Sequence, residues 1–262
     1  MDFYWVYDLP NWQFFLICNS VFIGFSLLGT FFFSSKIEKM LSLTVEHNSI
    51  VSIFLASSGV FYGITLGLIA VGTFENFNSV DSTVNNECSS LAALYRDVQI
   101  LEESDKEKML QTLKNYTKQE VDTAWQLQSQ GIMTNRGNQI INAFQKELSH
   151  YEPKSEKDKI LFAEVFNQYN TLIQDRRLRI NAASSTLPSA IWMILFLGAF
   201  VNIALTWCLV INNKKLDIIM NSLSGLLLGS LIFLIASMDN PFRGNFSISS
   251  QPFQSLLDQV MK

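Results

Sequence analysis

The stretch HNSIVSIFLASSGVFYGITLGLIAVGTF, residues 47–74, decides the fold class of this chain. It contains no Asp, Glu, Lys or Arg, and a helix needs about 20 mostly apolar residues to cross a bilayer. Three further stretches also lack these charged residues and are long enough to span, namely 9–35, 180–213 and 218–238. The sequence therefore predicts a membrane protein with four transmembrane helices.

The predicted spans form two hairpins, because short loops join the first to the second and the third to the fourth. Between the hairpins, residues 75–179 hold 29 of the 42 charged residues, 13 basic and 16 acidic. We therefore expect three parts: residues 1–74 as the N-terminal tail and first hairpin, 75–179 as an extramembrane domain, and 180–262 as the second hairpin and C-terminal tail.

The middle region shows helical periodicity throughout. Its first apolar positions continue the second span in steps of three and four, which predicts one long helix that runs out of the membrane to about Leu101. Further helices are predicted from Ser104 to about Gly131, over 140–148, and from Ser155 toward the third span, with Pro188 as the break before that span. The fold class is all-α, with a helical domain that extends spans two and three.

Residues of common enzyme chemistry do not form recognisable patterns. The two histidines, His47 and His150, and the three cysteines lack metal-ligand spacing, and neither a glycine-rich phosphate loop nor a nucleophile elbow occurs. The formal net charge of -4 offers no basic patch for nucleic acid. We expect no enzyme, no cofactor, no metal and no nucleic-acid partner.

A stripe of small residues runs along the second span and ends in an aromatic ring. Gly63, Gly67, Ala70 and Phe74 share this stripe, with Leu66 beside it. One interpretation is that the glycines let another helix pack closely, as small residues commonly do in membranes. The other is that the stripe faces a pore, in which Leu66 and Phe74 form a hydrophobic constriction.

Two more features of the spans bear on these interpretations. Glu75 follows the aromatic residue at the end of the second span, and in a symmetric oligomer it would recur as a ring of carboxylates. The fourth span repeats the small-residue spacing at Gly225 and Gly229, which we interpret as a packing surface only.

The fourth span ends in an acidic residue at a helix C-terminus, where the backbone already makes the potential negative. We expect Asp239 to have a cationic partner, and Arg243 lies four residues on, beyond the helix-ending Pro241. This pair is interpreted either as a structural lock at the membrane exit or as an ion site at a pore mouth.

Several short motifs occur in order along nearly the whole chain. They are Leu9-Pro10-Asn11-Trp12, Glu46-His47-Asn48, Gly59-Val60-Phe61-Tyr62, Phe74-Glu75-Asn76-Phe77, Leu94-Tyr95-Arg96, Asp239-Asn240-Pro241-Phe242-Arg243-Gly244 and Pro252-Phe253. In this set the chain resembles the bestrophin-like domain family of bacterial four-span proteins. The ending Asp-x-Pro-Phe-x-Gly, with Asp239, Pro241, Phe242 and Gly244, is the most specific element.

This resemblance implies a homo-oligomeric ion channel, a pentamer in bestrophins, in which the second span lines the pore. The pore-lining residues would then be Gly63, Leu66, Gly67, Ala70, Phe74 and Glu75. A basic residue often follows the aromatic in bacterial bestrophins, whereas Glu75 here favours monovalent cations. The alternatives are an anion channel and a membrane-anchored interaction or sensor module that does not conduct.

Besides other copies of itself and small ions, the partner expected from the spans is membrane lipid, in the cell (inner) membrane. Lys36, Lys39, Lys214 and Lys215 lie in the two short loops, and Arg176, Arg177, Arg179 and Arg243 lie on the opposite side. The first span usually dominates orientation and favours a helical domain outside the cell, whereas bestrophins place the equivalent domain in the cytoplasm.

Overall fold

The computed structural model describes residues 3–101, 106–183 and 186–262, and within these ranges it is helical with no strand. The helices are α1 (Asn11–Phe32), α2 (Ser34–Leu41), α3 (Asn48–Ile100), α4 (Lys106–Gln119), α5 (Trp125–Ser129), α6 (Arg136–His150), α7 (Glu156–Ala183), α8 (Ser189–Thr206), α9 (Lys214–Asp239) and α10 (Gln251–Gln259). Two 3₁₀ helices, Phe3–Asp8 and Val45–His47, precede α1 and α3. A π-helical turn, Glu120–Ala124, connects α4 to α5. The all-α prediction is confirmed.

Four of these helices are long and apolar enough to cross a membrane: α1, α3, α8 and α9. Their most apolar windows have mean hydropathies of 1.9, 1.9, 2.0 and 2.2. The protein is therefore a multi-pass membrane protein with the four spans that the sequence predicted.

The predicted helix ends agree well with the observed ones. The second span continues as one helix to Ile100, one residue short of the predicted end. Gly131, where the next helix was expected to stop, has a φ of 76°, which a glycine adopts without the steric cost of a Cβ. Pro188 directly precedes α8, as predicted for a break before the third span. The predicted start at Ser104 lies outside the described residues.

By its internal contacts the chain forms two compact units. The membrane unit comprises residues 3–76, 186–239 and 244–246. The helical unit comprises residues 77–101, 106–183, 240–243 and 247–262. The C-terminal segment with α10 thus belongs to the helical unit, a placement that the sequence did not indicate.

The core of the membrane unit lies where α3, α8 and α9 contribute apolar side chains. Its buried members are Tyr62, Leu66, Leu195, Ala199, Ile203, Trp207, Leu228, Ile232 and Ile235. Helix α1 packs along α9, where the Ser26 hydroxyl donates to the Asn221 backbone oxygen at 3.0 Å. Buried polar side chains between spans therefore find partners on neighbouring helices or on their own backbone.

The core of the helical unit is built from the second half of α3 together with α4, α6, α7 and α10. Members that are fully shielded from solvent include Val84, Leu91, Leu94, Met109, Leu113, Phe144, Leu148, Val165, Leu172 and Phe253. These positions follow the apolar periodicity of each helix, because a helix buries one face of its cylinder against its neighbours.

Candidate ion pathway and buried charge cluster

One side of the spanning part of α3 packs against its own chain. The Tyr62 hydroxyl donates to the Leu195 backbone oxygen at 2.6 Å, and its ring covers Gly198, where an added Cβ would lie 2.3 Å from the ring. Leu66 and Thr73 are buried on the same side. These contacts attach α3 to α8 within the membrane unit.

The other side of α3 is open among the described residues of the chain. A Cβ built on Gly63 or Gly67 would meet no atom within 4 Å, and the Phe74 side chain is 50% exposed. Ala70 is half-buried at the border of the core, and Glu75 is exposed. The four spans differ in how much of their most apolar 18-residue window is buried. In α3 only 11% of this window is buried, the smallest share of the four, against 33% in α9.

Leu66 does not belong to this open side. Its side chain is 1% exposed and packs in the core of the membrane unit. At about 100° per residue, it lies about 60° around the helix from Gly63, on the side that carries Tyr62. The structure thus separates Leu66 from the other predicted pore residues, because neighbours in sequence project from different faces.

The carboxylate of Asp239 accepts two hydrogen bonds within the membrane unit. It accepts a hydrogen bond from the Leu187 backbone N–H at 2.6 Å and another from the Trp192 indole Nε1 at 3.3 Å. Leu187 lies two residues before α8, whose N-terminal end makes the potential positive through its unpaired backbone N–H groups. The predicted Asp239–Arg243 ion pair stays a prediction.

The rest of the Asp-x-Pro-Phe-x-Gly ending makes a compact turn. The Ile248 N–H donates to the Pro241 oxygen at 2.8 Å. In the core of the helical unit, the centroids of the Phe242 and Trp125 rings lie 5.5 Å apart. Gly244 has a φ of 89°, so a side chain there would be strained. The Arg243 backbone N–H donates to the Asn240 oxygen at 3.0 Å.

A cluster of buried charges lies inside the helical unit. Arg179 on α7 donates from Nε to Glu87 on α3, and from Nη2 to Glu120 at 2.7 Å. Its Nη1 donates to Gln128 at 2.8 Å, and the guanidinium lies 5.3 Å from the Trp125 ring centre. Because all these groups are buried, removing one ionic partner is expected to cost about 3–5 kcal/mol.

A second arginine completes the cluster. Arg176 donates from Nη1 to Glu120 and to the Tyr116 hydroxyl, both at 2.7 Å, and Tyr116 donates to Glu87 at 2.6 Å. Burial lowers the pKa of Arg179, but the charges of Glu87 and Glu120 more than offset this and hold its pKa well above the ordinary value. Burial and then the charges of Glu120 and Glu87 raise the pKa of Tyr116 well above its usual value, so the hydroxyl stays protonated and donates.

The sequence analysis did not identify this cluster. Arg176 and Arg179 were counted there only as charges near the third span. One signal was present: Glu87 follows Val84 by three residues and precedes Leu91 by four, so a carboxylate lies on the apolar face of α3. A charge in such a position is nearly always paired when buried. Its partners could not be read from the sequence, since α7 is remote along the chain.

A family model described as Bestrophin-like domain matches residues 20–253, which is most of the chain. The chain belongs to the bestrophin-like family. This confirms the resemblance inferred from its short motifs, and membership supports a function of the ion-channel kind for this bestrophin-like protein. A search of curated proteins found no match.

Solved structures of bacterial bestrophin homologues share the fold. The homologue from Klebsiella pneumoniae is 13% identical with a TM-score of 0.66, over 93% of this chain and 97% of that chain. A single-residue variant of it is 12% identical with a TM-score of 0.68, over 94% and 97% of the two chains. A crystal structure described as a membrane protein is 12% identical, with a TM-score of 0.67 over 93% and 97%. At these identities the likeness establishes a common architecture.

Proposed function

We propose that this bestrophin-like protein is an ion channel formed by a ring of identical subunits, a pentamer, with α3 lining the pore. The observation that carries the proposal is the open side of α3. An added Cβ at Gly63 or Gly67 would meet none of the described residues within 4 Å, and Phe74 is half exposed. Small residues on an uncovered side of a span allow the helices of other subunits to approach closely there, or leave room along a central axis.

Within this pore, Phe74 would form the constriction and Glu75 a ring of carboxylates beside it. Hydrophobic constrictions gate by excluding water, and rings of acidic side chains favour cations through their local field. We therefore propose that small monovalent cations pass. Gly63, Gly67 and Ala70 would line the wider section, and Leu66 is left out because its side chain lies in the core of the membrane unit.

The experiment is ion flux through the purified protein in liposomes. Phe74→Ala is expected to raise the flux, because it widens the constriction. Phe61→Ala is the matched control, since Phe61 is 69% exposed but lies more than a third of a turn around α3 from Phe74. Native mass spectrometry of the same samples would count the subunits.

Selectivity is measured by reversal potentials across a salt gradient. Glu75→Gln is expected to shift selectivity toward anions, whereas Glu152→Gln, an exposed acid in the helical unit, should leave it unchanged. Anion selectivity of the unaltered protein would overturn the cation proposal alone. If the unaltered protein and Phe74→Ala were equally silent across voltage and pH, the channel would be replaced by the membrane-anchored interaction or sensor module.

We also propose that the protein resides in the cell (inner) membrane with its helical unit outside, as the flanks of the first span favour. The C-terminal segment belongs to the helical unit, so a reporter fused there shares its side. A C-terminal alkaline phosphatase should then be active and a C-terminal green fluorescent protein dark. The opposite result would assign the helical unit to the cytoplasm.

A further inference from the structure

A polar groove of about 710 Å³ lies between α4 with its π-helical turn and the neighbouring α6, within the helical unit. Such a volume is typical of pockets for small organic ligands. Its walls include the side chains of Asn115, Lys118, Gln119, Asp122, Arg136 and Gln139. No residue of the proposed pore takes part, so the groove is a separate feature.

Among the residues of the groove, Gln119 gives the main indication of a bound ligand. It is only 7% exposed, and among the residues that the structure describes its Nε2 has no hydrogen-bond partner. An unpaired buried polar group costs about 1–3 kcal/mol, and such groups in folded proteins nearly always have partners. An acceptor atom supplied by a bound molecule would remove this cost.

The charges around Gln119 indicate what kind of acceptor fits. Lys118 and Arg136 bring two positive charges to the groove, against one negative charge from Asp122. The Asn115 Oδ1 accepts from Gln111 at 2.8 Å, so its amide nitrogen is the end that can donate to a ligand. The groove thus presents mainly donors and a net positive charge.

We propose that this groove binds a small molecule bearing an oxyanion, a phosphate or a carboxylate group. Arg136 and Lys118 supply charge-assisted hydrogen bonds, which are shorter and stronger than neutral ones. The Gln119 amide supplies a buried donor, which determines how deeply the anion lies in the groove. Asp122 would accept from a donor elsewhere on the same molecule.

The groove adjoins the buried charge cluster along both of its walls. Gln119 directly precedes Glu120, and Arg136 directly precedes Gly137. A Cβ on Gly137 would lie 2.5 Å from Arg176 Nη2 and 2.7 Å from Glu120 Oε1, so α6 approaches the cluster closely there. A bound anion would therefore act on backbone segments that hold the cluster together.

Binding can be tested on the full-length protein purified in detergent. Equilibrium dialysis with radiolabelled inorganic phosphate and with radiolabelled citrate, at constant ionic strength in chloride, measures occupancy directly. We expect saturable binding of at least one of them. Phosphate alone would identify a phosphate-bearing ligand, and citrate alone a carboxylate-bearing one.

Three variants make the test specific. Arg136→Gln and Gln119→Leu should each weaken binding about tenfold, the equivalent of about 1.4 kcal/mol. Lys157→Gln, which removes an exposed cation elsewhere in the helical unit, should not change it. Arg136 is itself exposed, so its variant is expected to fold even if Gln119→Leu does not.

The proposal would be overturned by the lack of saturable binding of either anion, or by binding that Arg136→Gln and Gln119→Leu leave intact. The dialysis readout does not depend on ion conduction. If the protein binds phosphate but does not conduct ions, the proposed ligand site is therefore supported and the proposed channel is not.

Discussion

Helices α3 and α9 carry the same spacing of small residues, and the structure uses it in opposite ways. On α9, a Cβ at Gly225 would lie 2.8 Å from the Ile23 Cα, and one at Gly229 would lie 2.9 Å from the Asn19 Cα of α1. On α3, a Cβ at Gly63 or Gly67 would have no neighbour within 4 Å in the part of the chain that the structure describes. The spacing marks a surface suited to close approach, but it does not specify whether the approaching helix is in the same chain.

The α1–α9 contact also contains hydrogen bonds between the two helices. Along the α1–α9 contact, Ser26 donates to the Asn221 backbone, and Ser230 donates to the Asn19 side chain at 3.2 Å. On α3, by contrast, the Thr65 hydroxyl donates to the Phe61 oxygen of its own helix at 2.9 Å, on the face away from Gly63 and Gly67. Side-chain hydrogen bonds thus connect two helices where α1 packs on α9, whereas the Thr65 hydrogen bond stays within one helix.

The largest difference in stability between the two surfaces is expected when a methyl group is added to the glycines of each. Gly225→Ala and Gly229→Ala should each destabilise the fold by about 1–3 kcal/mol, because the added atoms meet the α1 backbone, which cannot rotate away. Thermal unfolding followed by size-exclusion chromatography in detergent measures this. Stability unchanged in both variants would mean that α1 and α9 are not packed so closely.

A smaller effect is expected from the hydrogen bonds alone. Asn221 accepts from the Thr206 hydroxyl at 2.7 Å and donates to Asp217, so Asn221→Leu should cost about 1 kcal/mol, within the range found for such bonds in membranes. Thr65→Val on α3 is the control and should have almost no effect. Equal losses in the two variants would show that a hydrogen bond between helices adds no more stability than one within a helix.

The smallest effect on the fold is expected from Gly63→Ala and Gly67→Ala. Because space is open at both positions, alanine should leave the subunit as stable or stabilise it by less than about 1 kcal/mol through its higher helix propensity. If other subunits pack there, the same variants should lower the fraction of rings in native mass spectra. Unchanged rings together with altered ion flux would instead favour a surface that faces the pore.

Much of the fold could be predicted from local patterns. The four spans, the continuation of α3 to Ile100 and the break at Pro188 depend on hydropathy, periodicity and proline chemistry within short windows. The bestrophin-like family was also identifiable, since its motifs consist of residues close together in sequence. Of the proposed pore, the sequence located the stripe on α3 but did not separate Leu66 from it.

What the tertiary structure alone decided is which distant groups meet. Asp239 accepts hydrogen bonds from Leu187 and from Trp192 on α8, about 50 positions away, and Glu87 is paired with an arginine 92 positions away. The sequence determined where helices form, because the backbone hydrogen bonds and apolar faces of a helix are set by neighbours three and four positions apart. It did not determine the partners of buried charges and glycines, because those depend on the geometry of packing between helices that are remote along the chain.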